Sequence, residues 1–229
     1  MIDHVRDLAS VRDATERLLT AAAKLDNASL AEPSRLPGWS RGHVLAHLAR
    51  NADALVNVLE GRPMYVSGDA RDTDIERDAP RPLVAQLADG RESAARFQEA
   101  AAAPADWSRT VELRNGVTDS ASRVPFRRWV EVELHHVDLG IGYELEDLPE
   151  EFVEREIEFL ADRFAGHPDV PPTRITDSSR AWHTGRDTEG APEVTVTGPA
   201  PALLGWLAGR RDGADLTVDG GLLPTLPPL

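Results

Sequence analysis

The segment VEVELHHVDLG, residues 130–140, sets carboxylates and imidazoles in an otherwise apolar stretch. On an α-helix, residues four apart stand on one face, so Glu131 and His135 can chelate one divalent ion through an oxygen and a nitrogen. Asp138 returns to nearly the same azimuth as Glu131. The pair alone also fits a solvated helix face with an ordinary Glu–His hydrogen bond. A metal site therefore needs a third ligand.

Two histidines of another predicted helix, His43 and His47, also share one face. In helical bundles, metal sites are built from side chains that project inward from facing helices. His47 lies deep in its helix between Ala46 and Leu48, whereas His43 lies in the first turn, where a histidine usually caps the helix or meets solvent. His47 is thus the candidate third ligand. The alternative is a buried histidine satisfied by a hydrogen bond.

The composition narrows the classes of function. The 229 residues carry a formal net charge of −14 and no cysteine. An acidic chain is a poor partner for nucleic acid or an anionic membrane. Without cysteine, a metal must sit on nitrogen and oxygen ligands, and thiol chemistry must use an external thiol. With no signal-like N-terminus and no membrane-spanning apolar run, we expect a cytoplasmic protein, and its acidic surface fits a monomer.

Hydrophobic periodicity in the first part of the chain indicates an antiparallel four-helix bundle. The four helices are predicted over roughly 5–25, 41–60, 82–103 and 125–140. Ser40 is a predicted N-cap for the second helix, and Gly61 is its predicted stop. The polar, turn-rich segment 63–80 is predicted to be a long loop. Asn115-Gly116 predicts a β-hairpin.

The last third of the chain has a different pattern. A helix is predicted over 150–164, followed by strand-like runs (TRIT, AWHT, EVTVTG, DLTVD) around a second helix, PALLGWLAGR. This pattern indicates a small α+β unit with an antiparallel sheet. The predicted fold class is therefore α+β, with a helical domain at 1–146 and an α+β domain at 147–229.

Four stretches, LPGWSRGHVLAHLARNADAL, PMYVSGDAR, VEVELHHVDLG and GWLAGR, resemble the mycothiol-dependent maleylpyruvate isomerase family over essentially the whole chain. The resemblance implies a DinB-like four-helix bundle, followed by a C-terminal domain that contributes to the active site. It implies one zinc ion bound by His47, Glu131 and His135. It also implies a catalytic arginine at Arg210, with the neighbouring Arg211 as its rival.

Other residues stay without an assigned task. The family pattern has its E-V pair directly after an arginine, whereas RRWVEV inserts two residues, so no role is carried over to Arg128. Asp138 either hydrogen-bonds a ligand imidazole or caps the helix end. His43, Tyr65 and Asn51 are candidates to line the pocket.

The implied chemistry uses the fourth zinc position, which two histidines and one carboxylate leave open. A metal ion deprotonates a coordinated thiol. The resemblance thus implies that mycothiol thiolate adds reversibly to the cis double bond of maleylpyruvate, and that rotation and elimination then give fumarylpyruvate and free mycothiol. The alternatives are a mycothiol S-transferase that consumes the thiol, a metallohydrolase with Glu131 or Glu133 as base, and a non-catalytic zinc- or ligand-binding regulator.

Overall fold

The chain folds into two compact units, Met1–Tyr143 and Glu144–Leu229, in a computed structural model that describes residues 3–103, 105–186 and 193–228. The first unit is helical apart from one short hairpin, and the second combines helices with a four-stranded sheet. This arrangement confirms the predicted α+β class. Within the described ranges, no helix has both the length and the apolar character of a membrane span.

Four long helices form the body of the first unit, and two shorter ones accompany them. In chain order they are α1 (His4–Ala22), α2 (Asn27–Ala31), α3 (Arg41–Leu59), α4 (Gly68–Asp78), α5 (Leu83–Ala102) and α6 (Val124–Asp138). Helices α1 and α3 each pack against both α5 and α6. Large apolar side chains such as Leu55, Phe97 and Leu139 are fully buried among them. Burial of this apolar surface is the main stabilising term for such a bundle.

The two ends of α3 follow the predicted signals. The Ser40 hydroxyl accepts from the His43 backbone N–H at 3.4 Å, and the His43 ring Nδ1 accepts from the Ser40 N–H at 3.2 Å. This reciprocal pair satisfies two backbone donors that a helix start leaves unpaired. At the other end, Gly61 has a φ of 77°, the left-handed conformation that favours glycine after a helix. The predicted N-cap and stop are both confirmed.

The prediction of one long loop over residues 63–80 was wrong, because α4 occupies most of it. The apolar periodicity of the sequence does not reveal this helix, because only Ile75 and Asp78 are buried along it. Instead of an apolar stripe, polar contacts hold α4 in place. The Ser67 side chain caps its start, and Arg50 of α3 donates to the Asp78 carboxylate at 2.9 Å.

The C-terminal end of α4 sits very close to α3. A Cβ atom on Gly42 would lie 2.3 Å from the carbonyl oxygen of Ala79, so only glycine fits there without a shift of backbone. The Gln86 side-chain amide then ties the contact together, because its Nε2 donates to the carbonyls of Gly42, Asp78 and Ala79 at 2.9–3.1 Å. These contacts fix where α4 runs relative to α3.

A two-stranded hairpin lies between α5 and α6. Strand β1 (Thr110–Glu112) pairs antiparallel with β2 (Thr118–Ser120), and Val111 stands opposite Asp119. Asn115 and Gly116 have φ values of 60° and 73° in the connection. Positive φ at both positions is what makes Asn-Gly a hairpin signal. The predicted hairpin is confirmed.

In the described part of the second unit, two α-helices accompany four strands. They are α7 (Glu150–Phe164), β3 (Thr173–Thr176), β4 (Ala181–Thr184), β5 (Val194–Thr197), α8 (Ala200–Leu207) and β6 (Thr217–Asp219). The sheet order is β4-β3-β5-β6, and α7 packs on α8 and β4. The sheet is mixed rather than antiparallel, because β3 and β5 run parallel with Ile175 opposite Val196. Alternating burial is the same for either direction of pairing, so the sequence pattern does not distinguish the two.

Candidate metal centre

The structure brings His47, Glu131 and His135 together. One donor atom from each lies within 4.8 Å of the others. Oε2 of Glu131 is 2.9 Å from Nε2 of His47 and 3.2 Å from Nε2 of His135. Two imidazole nitrogens and one carboxylate oxygen that converge in this way match the usual donor set of a catalytic zinc site. The residues present therefore fit a zinc ion.

The two helices that supply these donors explain why they meet. His47 comes from the middle of α3, and Glu131 and His135 come from successive turns of α6, which packs on α3. The His47 ring lies 4.7 Å from the His135 ring, edge to face, and 5.5 Å from the indole of Trp39. His47 is only 5% exposed. Aromatic packing on a buried imidazole limits its rotation, which holds the donor nitrogen in position.

For His47 and Glu131, electrostatics favour the protonation states that a metal requires. Burial lowers the pKa of His47 to about 4, against the smaller opposing effect of Glu131, so its imidazole is neutral at neutral pH. Burial alone would raise the pKa of Glu131, but hydrogen bonds from His135 and His47 outweigh it and hold the pKa well below its ordinary value. A neutral imidazole and an ionised carboxylate are the ligating forms of these groups.

Asp138 makes the contact that the sequence left open. Nδ1 of His135 donates to Oδ2 of Asp138 at 2.8 Å, and the Asp138 side chain is buried. A carboxylate can only accept, so one proton of His135 stays on Nδ1, and loss of the second proton frees the lone pair of Nε2 at the cluster. Such a contact sets the tautomer and ring orientation of a metal ligand.

One cationic side chain at the cluster was missed in the sequence. Arg71, in the first turn of α4, places its Nη2 3.2 Å from Nδ1 of His47 and donates from Nη1 to Asp72 at 2.6 Å. Its guanidinium carbon also lies 6.0 Å from the ring centre of Tyr65. The helix that carries Arg71 was predicted as a loop, so no spacing argument could place it. Arg71 puts a positive charge beside the three candidate ligands.

Glu133, on the same helix as the ligands, has a different environment. Its fully buried carboxylate accepts from Arg17 at 2.5 Å, from the Trp129 indole at 3.0 Å and from the Tyr143 hydroxyl at 2.9 Å. The charge of Glu133 and burial together raise the pKa of Tyr143, with burial as the larger cause. Three hydrogen-bond donors already occupy the Glu133 carboxylate, so it has a structural role, and this argues against Glu133 as a general base.

The three residues predicted to line the pocket, His43, Asn51 and Tyr65, have different environments. His43 caps α3 through Ser40, as described above. Asn51 is buried and accepts from Nη1 of Arg128 at 2.7 Å, while the same nitrogen donates to the Leu48 carbonyl at 2.9 Å. Burial lowers the pKa of Arg128 to about 10, so its guanidinium stays charged and ties α6 to α3. Tyr65 lies beside Arg71, whose guanidinium is close to His47.

The two arginines proposed for catalysis lie after α8 in the second unit. Arg211 donates to the Glu146 carboxylate from both terminal nitrogens, at 2.7 and 2.8 Å, which gives it a structural contact within that unit. Arg210 donates from Nη1 to the carbonyl of Ala208 at 2.7 Å. The assignment of the catalytic role to Arg210 stays a prediction.

Comparison with known proteins gives a consistent result. Residues 11–140 match the family model described as the mycothiol maleylpyruvate isomerase N-terminal domain, and residues 147–228 match the model of the corresponding C-terminal domain. No curated protein matches the chain.

Two solved structures are similar to the whole chain. A crystal structure of the mycothiol-dependent maleylpyruvate isomerase shares 28% identity at a TM-score of 0.88, over 99% of this chain and 97% of that one. The crystal structure of a histidine-to-alanine mutant of a mycothiol-dependent maleylpyruvate isomerase shares 27% identity at a TM-score of 0.87, with the same coverage. Two domain models that together span most of the sequence, and a matching fold throughout, show that this chain belongs to the mycothiol maleylpyruvate isomerase family.

Proposed function

We propose that this protein isomerises maleylpyruvate to fumarylpyruvate, with mycothiol as a thiol cofactor and with zinc held by His47, Glu131 and His135. The observation that carries the proposal is the convergence of these three donors, within 4.8 Å, in a chain of this family that has no cysteine. When bound, zinc would stabilise the thiolate form of a coordinated thiol at neutral pH. Reversible addition of a thiolate lets the former double bond rotate and returns the thiol unchanged.

The ligand residues and Asp138 have distinct tasks in this proposal. His47 and His135 offer neutral nitrogens, and Glu131 offers one negative charge, so the site keeps an open position and a net positive charge when zinc is bound. Asp138 keeps the proton of His135 on Nδ1, which leaves Nε2 available at the cluster. No base is required from Glu133, which agrees with its three donors.

Two arginines would bind the anionic substrate. The chain has a net charge of −14, so the overall field repels a dicarboxylate and a local cation must attract it. Arg71 lies against His47, where its guanidinium could donate to a substrate carboxylate that approaches the metal. Arg210 is proposed to stabilise the negative charge that develops on the substrate carbonyl, as the family resemblance implies.

The proposed function is tested by turnover per thiol. Purified protein with zinc is mixed with excess maleylpyruvate and a small amount of mycothiol, and the conversion to fumarylpyruvate is followed by absorbance. We expect many turnovers per mycothiol and none without it. Loss of one mycothiol per product, with a stable conjugate, would instead identify an S-transferase.

The ligand set and Arg71 are tested by single alanine variants. His47→Ala, Glu131→Ala and His135→Ala should each lose zinc, measured by metal analysis of the folded protein. Arg71→Ala should keep zinc but raise the KM for maleylpyruvate, while Arg91→Ala, an exposed arginine on α5, serves as the matched control. Full zinc occupancy in all three ligand variants would refute the metal assignment.

A further inference from the structure

A polar groove lies in the first unit between the segment 61–68 and the β1–β2 hairpin. Its volume is about 610 Å³, and its walls come from that segment, from the end of α3 and from residues 109–116. This size falls in the range of small-molecule sites, roughly 300–1,000 Å³. Neither the ligand cluster nor the proposed role of Arg71 uses this groove.

The groove reaches toward the cluster through one side chain. Tyr65 is part of the groove wall, and the Arg71 guanidinium that contacts His47 lies 6.0 Å from the Tyr65 ring centre. Burial and, to a smaller extent, the negative charge of Glu131 raise the pKa of the Tyr65 hydroxyl, so Tyr65 also interacts electrostatically with one of the proposed ligands. The groove wall therefore connects to the donor cluster through Tyr65 and Arg71.

The groove walls offer donors and acceptors together. Arg114 supplies a cationic donor, Glu112 an acceptor, and Asn115 both, and all three side chains are exposed. Thr110 adds a hydroxyl on the same strand face as Glu112. Sugar hydroxyls both donate and accept hydrogen bonds, so they suit such a mixed surface. A small dicarboxylate would need mainly cationic groups and would fill little of this volume.

We infer that this groove binds the hydroxyl-rich, non-reacting part of the thiol cofactor and directs its sulfur past Tyr65 toward the donor cluster. The inference rests on the proposed function and adds the location of the cofactor. Binding energy from a remote part of a ligand positions its reacting atom, and positioning of this kind lowers the barrier substantially. The groove thus gives a reason why a sugar-bearing thiol should be preferred over free cysteine.

The test fills the groove without touching the metal ligands. In Thr110→Trp, an indole replaces an exposed side chain on β1, where an aromatic residue suits the strand. The matched control is Thr217→Trp, an exposed threonine on strand β6 that is not part of the groove wall. Calorimetry with S-methyl mycothiol, whose sulfur is blocked, measures binding of the sugar portion without zinc–thiolate formation. Steady-state kinetics give the KM for mycothiol, and metal analysis gives the zinc content.

We expect the wild type to bind S-methyl mycothiol, and Thr110→Trp to weaken this binding and raise the KM for mycothiol at least about tenfold. Zinc content should be unchanged, and Thr217→Trp should stay within about twofold of wild type. If Thr110→Trp does not fold, Arg114→Ala against Arg91→Ala replaces it, with a rise of a few-fold expected.

Unchanged binding and KM in a folded, zinc-loaded groove variant would overturn the inference. So would a wild-type enzyme that turns over with mycothiol but does not bind the S-methyl form. In either case the proposed function would stand, because it is refuted separately by the absence of mycothiol-dependent turnover in the wild type.

Discussion

The contact between Asp138 and His135 allows a quantitative prediction. In Asp138→Asn the side chain keeps its shape and an oxygen that can accept from Nδ1 of His135, but it loses its charge. A hydrogen bond to a charged group contributes about 1.5–3 kcal/mol, and a neutral one about 0.5–1.5 kcal/mol. The difference is about 1–1.5 kcal/mol. A bound cation would polarise the His135 ring and strengthen its 2.8 Å contact with the buried Asp138 carboxylate, so we expect the metal-bound state to gain about this difference over the metal-free state with neutral His135.

This difference should appear in zinc affinity. Since about 1.4 kcal/mol corresponds to a factor of ten, we expect Asp138→Asn to bind zinc about tenfold more weakly, at the lower end of the 10- to 100-fold typical of such partners. Competition with a chromophoric chelator at fixed pH gives the dissociation constant. Asp13→Asn, an exposed aspartate on α1, is the control for loss of one negative charge. Equal affinities for wild type and Asp138→Asn would refute the reasoning, and a similar loss in Asp13→Asn would show that only net charge matters.

Three further predictions follow from other contacts. Arg210→Ala should lower kcat/KM about 10²- to 10³-fold with zinc retained, whereas Arg211→Ala should mainly lower the free energy of unfolding. Equal losses of kcat/KM in the two variants would refute a catalytic role for Arg210 alone. Burial would lower the pKa of His135, but its two carboxylate neighbours outweigh burial and raise the pKa above 6.5 in the metal-free protein. Zinc competes with the proton on His135, so zinc affinity should rise with pH up to that raised pKa. Protonated His135 also stabilises the metal-free protein, and this contribution is complete below pH 6.5 and lost as the pH rises above the raised pKa. Zinc titrations and unfolding curves at several pH values check the two effects. Arg128→Met should cost about 1–3 kcal/mol of unfolding free energy in urea, because Asn51 and a backbone carbonyl lose their donor, and no change would show that the contact is not stabilising.

The sequence predicted most of the helical unit because its helices carry regular apolar positions. Helix α4 was missed for the opposite reason, since Ile75 is its only buried apolar residue and the ion pair of Asp78 with Arg50 holds it on α3. The parallel pairing of β3 with β5 was missed because it depends on tertiary contacts, which an alternating pattern does not encode.

The candidate site shows the same division. The i,i+4 spacing predicted that Glu131 and His135 share a face, and the structure brings His47 to them across the packed helices. Arg71 could not be predicted, because its position depends on a helix that the pattern did not reveal. The groove beside Tyr65 could not be predicted either, since two segments far apart in the chain form its walls.

The close seat of α4 on Gly42 has a mechanical consequence. Arg71 and Ala79 lie at opposite ends of one stiff helix, about 12 Å apart at 1.5 Å per residue. A methyl group on Gly42 would push against the Ala79 carbonyl, and a tilt of only about 5° there would swing the guanidinium by about 1 Å, a displacement that can cost a reaction about a hundredfold. A side chain at Gly42 would contact Ala79 and Gln86 rather than ligand atoms, yet it would move Arg71 at the donor cluster by tilting the helix.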